Sequence, residues 1–212
     1  MGFSILKDIC MSKTIKDPEQ HKKRMQAIKS HVDKRIAKAQ EDKGTFVLLT
    51  GNGKGKSSSA LGMVARALGH GMKVGVVQFL KGEWNTGEID FFKQQANVQW
   101  EIMPAGFTWE TQNRESDIAS SEQAWEKAAA MLTDPSIDLV VLDELTYLLH
   151  YEYLLEDDVL NGLMNRPENQ HLVVTGRGAS DALIELADTV SEIKEVKHAF
   201  KRGIKAQKGL EF

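Results

Sequence analysis

One cysteine, Cys10, stands among 212 residues. A single thiol excludes an internal disulfide framework and any metal cage built of cysteines alone. That usage fits a reducing cytoplasm, which is the expected compartment. No basic cluster beside Cys10 marks it as a reactive thiol, and it reads as an incidental residue. Long apolar runs are also missing. None approaches the roughly 20 residues that span a bilayer, so no membrane association is expected. The first residues lack the apolar length and small-residue cleavage site of a signal peptide. Gly2 is followed at position 6 by Leu6, where an acylation signal needs Ser or Thr. An excess of positive charge is absent as well. The formal net charge is -3 and the pI about 6.1, which provides no global field for nucleic acid.

What is present is 42% hydrophobic residues, enough for one domain with a sizeable core and a separate extension. Residues 1–43 form the extension. Within 13–43, Met25, Ile28, Val32, Ile36 and Ala39 recur at steps of three and four on an otherwise basic stretch. That spacing predicts a helix with one narrow apolar stripe, suited to docking on a groove. No aromatic residues interleave with its charges, which argues against RNA binding.

Residues 44–212 read as strand–loop–helix alternation. Strands are expected at 46–50, 73–80, 98–103, 138–142, 171–175 and 189–193, with helices at 60–68, 117–132 and 179–186. The strongest strand runs are apolar throughout, as when both faces of a sheet are covered. The expected fold is α/β, a doubly wound, mainly parallel six-stranded sheet.

Between the first strand and its helix lies Thr-Gly-Asn-Gly-Lys-Gly-Lys-Ser, residues 50–57. Gly51, Gly53 and Gly55 permit backbone angles closed to other residues, so loop N–H groups can turn inward around phosphate oxygens. The following helix points its positive end at the same anion. Lys56 supplies a mobile cation, and the hydroxyl of Ser57 is a magnesium ligand. Asn52, Lys54 and Ser58 complete the candidate nucleotide contacts. The usual pattern starts with glycine, and here Thr50 takes that place. A second motif supports the first. Residues 139–144, Leu-Val-Val-Leu-Asp-Glu, form an apolar strand that ends in two acids. In phosphate-loop proteins such a strand is expected beside the first, holding magnesium or its waters. Glu144 is favoured as the direct metal contact, and Asp143 as the anchor of the loop or of the metal's waters. Arg177 follows a strand end, where ligands bind in open α/β sheets, and is a candidate phosphate contact. Trp125 falls in a helical apolar pattern and reads as core, whereas Trp84 and Trp100 carry no clear signal.

At this point the residues resemble the corrinoid adenosyltransferases. The resemblance rests on the loop at 50–57, on Gly-Phe-Thr-Trp-Glu-Thr-Gln-Asn-Arg-Glu at 106–115, and on Leu-Asp-Glu-Leu-Thr-Tyr at 142–147. It continues through Val-Thr-Gly-Arg-Gly at 174–178 and the segment 196–212. Ser57 stands where that family usually has Thr, and the hydroxyl is kept. The resemblance implies a P-loop (RecA-like) fold and transfer of the 5′-deoxyadenosyl group of ATP to Co(I) of a reduced corrinoid, with Mg2+ and release of triphosphate. It implies that ATP lies reversed relative to other phosphate-loop enzymes, and Thr50 is a position to inspect for this. It places Phe107 and Trp109 below the corrin, excluding an axial cobalt ligand. It implies a flavoprotein electron donor and a homodimer in which the basic helix closes over the other subunit's active site. A P-loop ATPase or kinase, and a nucleotide-gated binding protein without turnover, are the competing readings.

Overall fold

The computed structural model describes residues 17–80, 86–104 and 113–211. The chain divides into two compact units, Met1–Asp42 and Lys43–Phe212. In the first, helix α1 (Pro18–Ile36) begins where the Asp17 carboxylate accepts a hydrogen bond from the Glu19 N–H. Pro18 occupies the first turn, where a missing N–H costs nothing. Lys34 and Arg35 complement the negative end of the helix dipole. No residue of α1 is buried, and Met25, Val32 and Ile36 are exposed.

The second unit runs β1 (Phe46–Thr50), α2 (Lys56–Gly69), β2 (Val74–Gln78), α3 (Gly87–Phe92), β3 (Val98–Ile102), α4 (Arg114–Thr133), β4 (Leu139–Asp143), α5 (Leu145–His150), α6 (Glu156–Met164), β5 (His171–Thr175), α7 (Asp181–Leu186) and β6 (Thr189–Glu192), followed by a 3-10 turn at Phe200–Arg202. The strands form one six-stranded sheet in the order β3-β2-β4-β5-β1-β6. Every described pairing is parallel.

Neighbouring residues on the interior strands enter opposite cores. Leu48, Val77, Val140, Leu142, Leu172 and Val174 pack with α4, α5, α6 and α7. Leu49, Val76, Leu139, Val141 and Val173 pack with α2, α3 and Trp100. Both sheet faces are therefore covered, which is why the runs are apolar rather than alternating.

The strand order corrects one expectation. β4 does not lie beside β1, because β5 stands between them, with Leu48 opposite Val174 and Val140 opposite Leu172. Burial explains the choice. In β5 the four residues after His171 are buried, so it suits the interior of the sheet, whereas all four residues of β6 are exposed and suit an edge.

Helix α2 starts four residues earlier than its apolar pattern suggested. Gly55 takes φ 116° as its N-cap, which places Lys56 and Ser57 in the first helical turn. Helices α3 and α5, of six residues each, and α6 escaped the periodicity reading. So few turns do not establish a 3.6-residue pattern. Trp125 packs on the core as expected, with a Cβ added at Gly162 falling 2.7 Å from its ring. Trp100 proves structural too. It is buried, stacks on Phe92 at 6.0 Å, and donates its indole N–H to Gln78 Oε1.

Gln170 closes the lower end of this unit. It is 2% exposed, and its Nε2 donates to the carbonyls of Met131, Asp134 and Ile137 at 3.0–3.2 Å. These carbonyls lie at the end of α4 and in the turn after it, where those of Met131 and Asp134 also accept the N–H groups of Asp134 and Ile137. Gln170→Leu keeps much of the volume but removes the donor. Unfolding in urea is expected to show a loss of about 1–3 kcal/mol with an unchanged m value.

Candidate active site

Strands β1, β4 and β5 run in one direction, so the loops after Thr50, Asp143 and Thr175 share one edge of the sheet. Ligands of open α/β sheets bind at that edge. A cleft of about 740 Å³ opens there. Its lining includes Asn52, Gly53, Lys54, Gly55, Lys56, Ser57, Ser58, Asp143, Glu144 and Arg177. Among the candidates taken from sequence, Gly51 lies behind the lining, and Phe107 and Trp109 fall outside the described residues.

The glycines of the loop serve different ends. Gly55 needs its φ of 116°, and an added Cβ would meet nothing within 4 Å. Gly53 is instead confined by space, and Gly51 by both, since it also takes φ 99°. A Cβ on either would fall 2.5–2.7 Å from the Ile193 carbonyl oxygen. The loop thus lies directly on the backbone that follows β6, and the Gly53 N–H donates to Ile193 O at 2.7 Å.

Lys56 is only 6% exposed. Its ammonium donates to the carbonyls of Gly51 at 2.8 Å and Gly53 at 3.0 Å. Burial holds its pKa below the usual lysine value. Arg177 pushes the same way, while Glu144 and Asp143 act against the shift. The side chain is therefore held against its own loop, at the wall of the cleft.

The two acids at the end of β4 are held in different ways. Asp143, 5% exposed, accepts from Thr175 Oγ1 at 2.6 Å and from Gln78 Nε2 at 3.1 Å, so both of its oxygens are engaged. Thr175 Oγ1 in turn accepts from the Glu144 N–H at 2.9 Å. Glu144 adopts φ 62°, uncommon for a residue with a side chain, as the chain turns from β4 into α5. Its Oε2 is buried and has no hydrogen-bond partner among the described residues. Burial first, and then the charge of Asp143, raise its pKa to about 7, with Lys56 and Arg177 pulling back. An orphaned buried carboxylate oxygen is a group that a cation would satisfy. Among the described residues no cluster of three or more His, Cys, Asp or Glu forms a metal cage. Magnesium shared with phosphates needs only one or two protein carboxylates, so Glu144 and the Ser57 hydroxyl fit such an ion.

Arg177 is exposed, but its backbone is fixed. Thr146 Oγ1 donates to Arg177 O at 2.7 Å. Gly176, at φ 145°, permits this approach, since a Cβ there would stand 2.0 Å from the same hydroxyl. Thr50 contributes from the other side, its Oγ1 accepting from the Ala179 N–H at 3.4 Å. The residue in the usual glycine position thus ties β1 to the loop that carries Arg177.

Sequence reasoning did not single out Gln78, Leu80, Thr86, Glu88 or His198 as lining residues, nor the turn Gly209, Leu210 and Glu211. Glu211 forms an ion pair with Lys54 of the loop. No motif spacing points to this turn, and the resemblance across 196–212 was the only signal that it bears on the site.

The model of the family described as ATP:corrinoid adenosyltransferase BtuR/CobO/CobP matches residues 42–212. The chain is 56% identical over 203 residues to the corrinoid adenosyltransferase of Pseudomonas aeruginosa, covering 95% of this chain and 100% of that one. It is 49% identical over 194 residues to the corrinoid adenosyltransferase of Escherichia coli strain K12, covering 92% and 98%. The corrinoid adenosyltransferase CobA of Salmonella typhimurium matches with the same identity and coverage. A match that runs through the phosphate loop, both acids and the turn at 209–211, over nearly the full length of each relative, shows that this chain belongs to the ATP:corrinoid adenosyltransferase family.

Proposed function

We propose that this enzyme transfers the 5′-deoxyadenosyl group of ATP to Co(I) of a reduced corrinoid and releases triphosphate. The supporting observation is that the family match extends beyond the phosphate loop to the 209–211 turn that walls the same cleft. In the proposed step the Co(I) electron pair attacks C5′ of the ribose. The cobalt–carbon bond forms as the C5′–O bond breaks, and that bonding pair leaves with the triphosphate. Co(I) is nucleophilic enough to need no protein base. The chain's task is to align C5′ with cobalt and to neutralise the leaving group. Alignment of this kind lowers barriers by roughly 7–11 kcal/mol.

The loop N–H groups, Lys56 and Arg177 would bind the triphosphate, with Asn52, Lys54 and Ser58 at its rim. Ser57 and Glu144 would hold Mg2+, with Asp143 anchoring Glu144 through Thr175. Bound there, the ion would supply charge neutralisation for the departing oxygens. Phe107 and Trp109 are proposed to exclude the axial ligand of cobalt, which eases reduction of Co(II) by a flavoprotein donor. Helix α1, basic and with an exposed apolar stripe, is proposed as a lid in a homodimer. The proposed compartment is the cytoplasm. No helix among the described residues is long and apolar enough to cross a membrane.

One observation favours a second reading. A buried carboxyl poised near pH 7 is also what a general base for water requires, so Glu144 suits a P-loop ATPase or kinase. An anaerobic assay with ATP and chemically reduced cobalamin separates the two. Adenosyl–cobalt formation with stoichiometric triphosphate is expected, and orthophosphate release without alkylation would overturn the transferase reading.

Two further outcomes are expected. Only the ionised Glu144 carboxylate binds a cation, so Mg-ATP affinity should rise as pH increases through about 7 in the nucleotide-free enzyme. Glu144→Gln should flatten that profile, as followed by calorimetry across pH 6–8. The same substitution removes a buried charge, so the variant should gain stability relative to wild type above pH 7. That gain should vanish below the unfolded carboxyl value near pH 4.5. Trp109→Ala and Phe107→Ala should slow the reaction strongly when it starts from Co(II) and a flavoprotein, and less with preformed Co(I). Equal losses in both assays would contradict the axial-ligand role.

A further inference from the structure

The phosphate loop carries two lysines in contrasting states. Lys56 is nearly buried and pinned to two carbonyls of its own loop. Lys54 is about half exposed, and its ammonium is paired with the Glu211 carboxylate. Glu211 comes from a tight turn. The N–H groups of Leu210 and Glu211 both donate to Gln207 O, at 3.1 and 2.8 Å, and Gly209 takes φ 82°. Residues 201–211 are all exposed, and Leu210 is 75% exposed. The turn is therefore not anchored through a buried side chain. Gly209, Leu210 and Glu211 nevertheless form a wall of the cleft.

We propose that Glu211 is a positioning residue that competes with the substrate for Lys54: it holds this lysine at the cleft wall before nucleotide binds, yields it to the triphosphate of ATP, and reclaims it when triphosphate leaves. The proposal rests on the nucleotide reading of the cleft given above. Its physical basis is an imbalance between two partners. An exposed lysine–carboxylate pair is a weak, water-screened contact. A polyphosphate offers the same ammonium several charged oxygens at once, so exchange toward bound nucleotide is favourable. The exchange also displaces a carboxylate from a surface that must accept an anion. After transfer the leaving group is still a polyphosphate in a cradle of N–H groups and cations. Such a product dissociates slowly unless something competes for its contacts. Of the two loop lysines Lys54 is the exposed one, and Glu211, which lines the same cleft, is paired with it.

Titration calorimetry with inorganic triphosphate tests this directly, without corrinoid or turnover. Glu211→Gln removes the competing charge and keeps the side-chain shape. It is expected to bind inorganic triphosphate about two- to fivefold more tightly than wild type, the range of an exposed ion pair. Adenosine, which has no phosphates, should bind both proteins alike. In a Lys54→Met background the Glu211→Gln substitution should have no further effect on triphosphate affinity. Steady-state inhibition by added triphosphate should deepen in Glu211→Gln by the same factor. Unchanged or weaker triphosphate binding in Glu211→Gln would overturn the proposal, as would a gain that persists with Met at position 54. If the triphosphate effects appear but no adenosyl transfer is detected with wild type, the transferase reading falls and the competition for Lys54 stands.

Discussion

Two carboxylates stand side by side at the end of a buried strand, and the site is organised around keeping them in different states. Thr175 does this with one hydroxyl, which donates to Asp143 and accepts from the backbone of Glu144. Gln78 engages the second oxygen of Asp143, and Trp100 holds Gln78. A buried carboxylate with both oxygens hydrogen-bonded is a settled structural group. Glu144, next to it, keeps a buried oxygen without a partner among the described residues, and its proton affinity is raised by burial and by its neighbour. One acid is thereby fixed through both oxygens, and the other keeps a buried oxygen open.

This division depends on the strand order. Because β5 lies between β1 and β4, Thr175 arrives next to Asp143 on one side while Gln78, from β2, arrives on the other. The phosphate loop is then one strand away from the acids, with the cleft between them. Had β4 paired directly with β1, Thr175 would not sit beside Asp143. Arg177, two residues further along, is positioned by the same strand, with Thr146 and Thr50 holding its loop from either side.

Much of this was legible in the sequence for identifiable reasons. The strongest strand runs are apolar throughout, so a mainly parallel sheet covered on both faces could be read without knowing the order. The loop glycines, Lys56 and the acid pair sit at strand ends where their chemistry is diagnostic. The order itself was misjudged, because an apolar run such as residues 171–175 announces burial but not its neighbours. Short helices such as α3 and α5 make too few turns to show a period. The network through Gln78 and Trp100 joins residues 22 apart by one side-chain hydrogen bond, and no pattern in the chain predicts it. The turn at 209–211 reaches Lys54 across 157 positions, which only folding brings together.

The seating of Gly51 and Gly53 on the Ile193 carbonyl has a mechanical consequence. The floor of the phosphate loop is the continuation of β6, a strand that among the described residues pairs only with β1 and whose four residues are all exposed. The phosphate loop thus stands on an exposed margin of the sheet. Loosening of that margin would alter the curvature of the loop before it disturbed either hydrophobic layer, making the edge strand the weak hinge through which the nucleotide cradle would lose its shape.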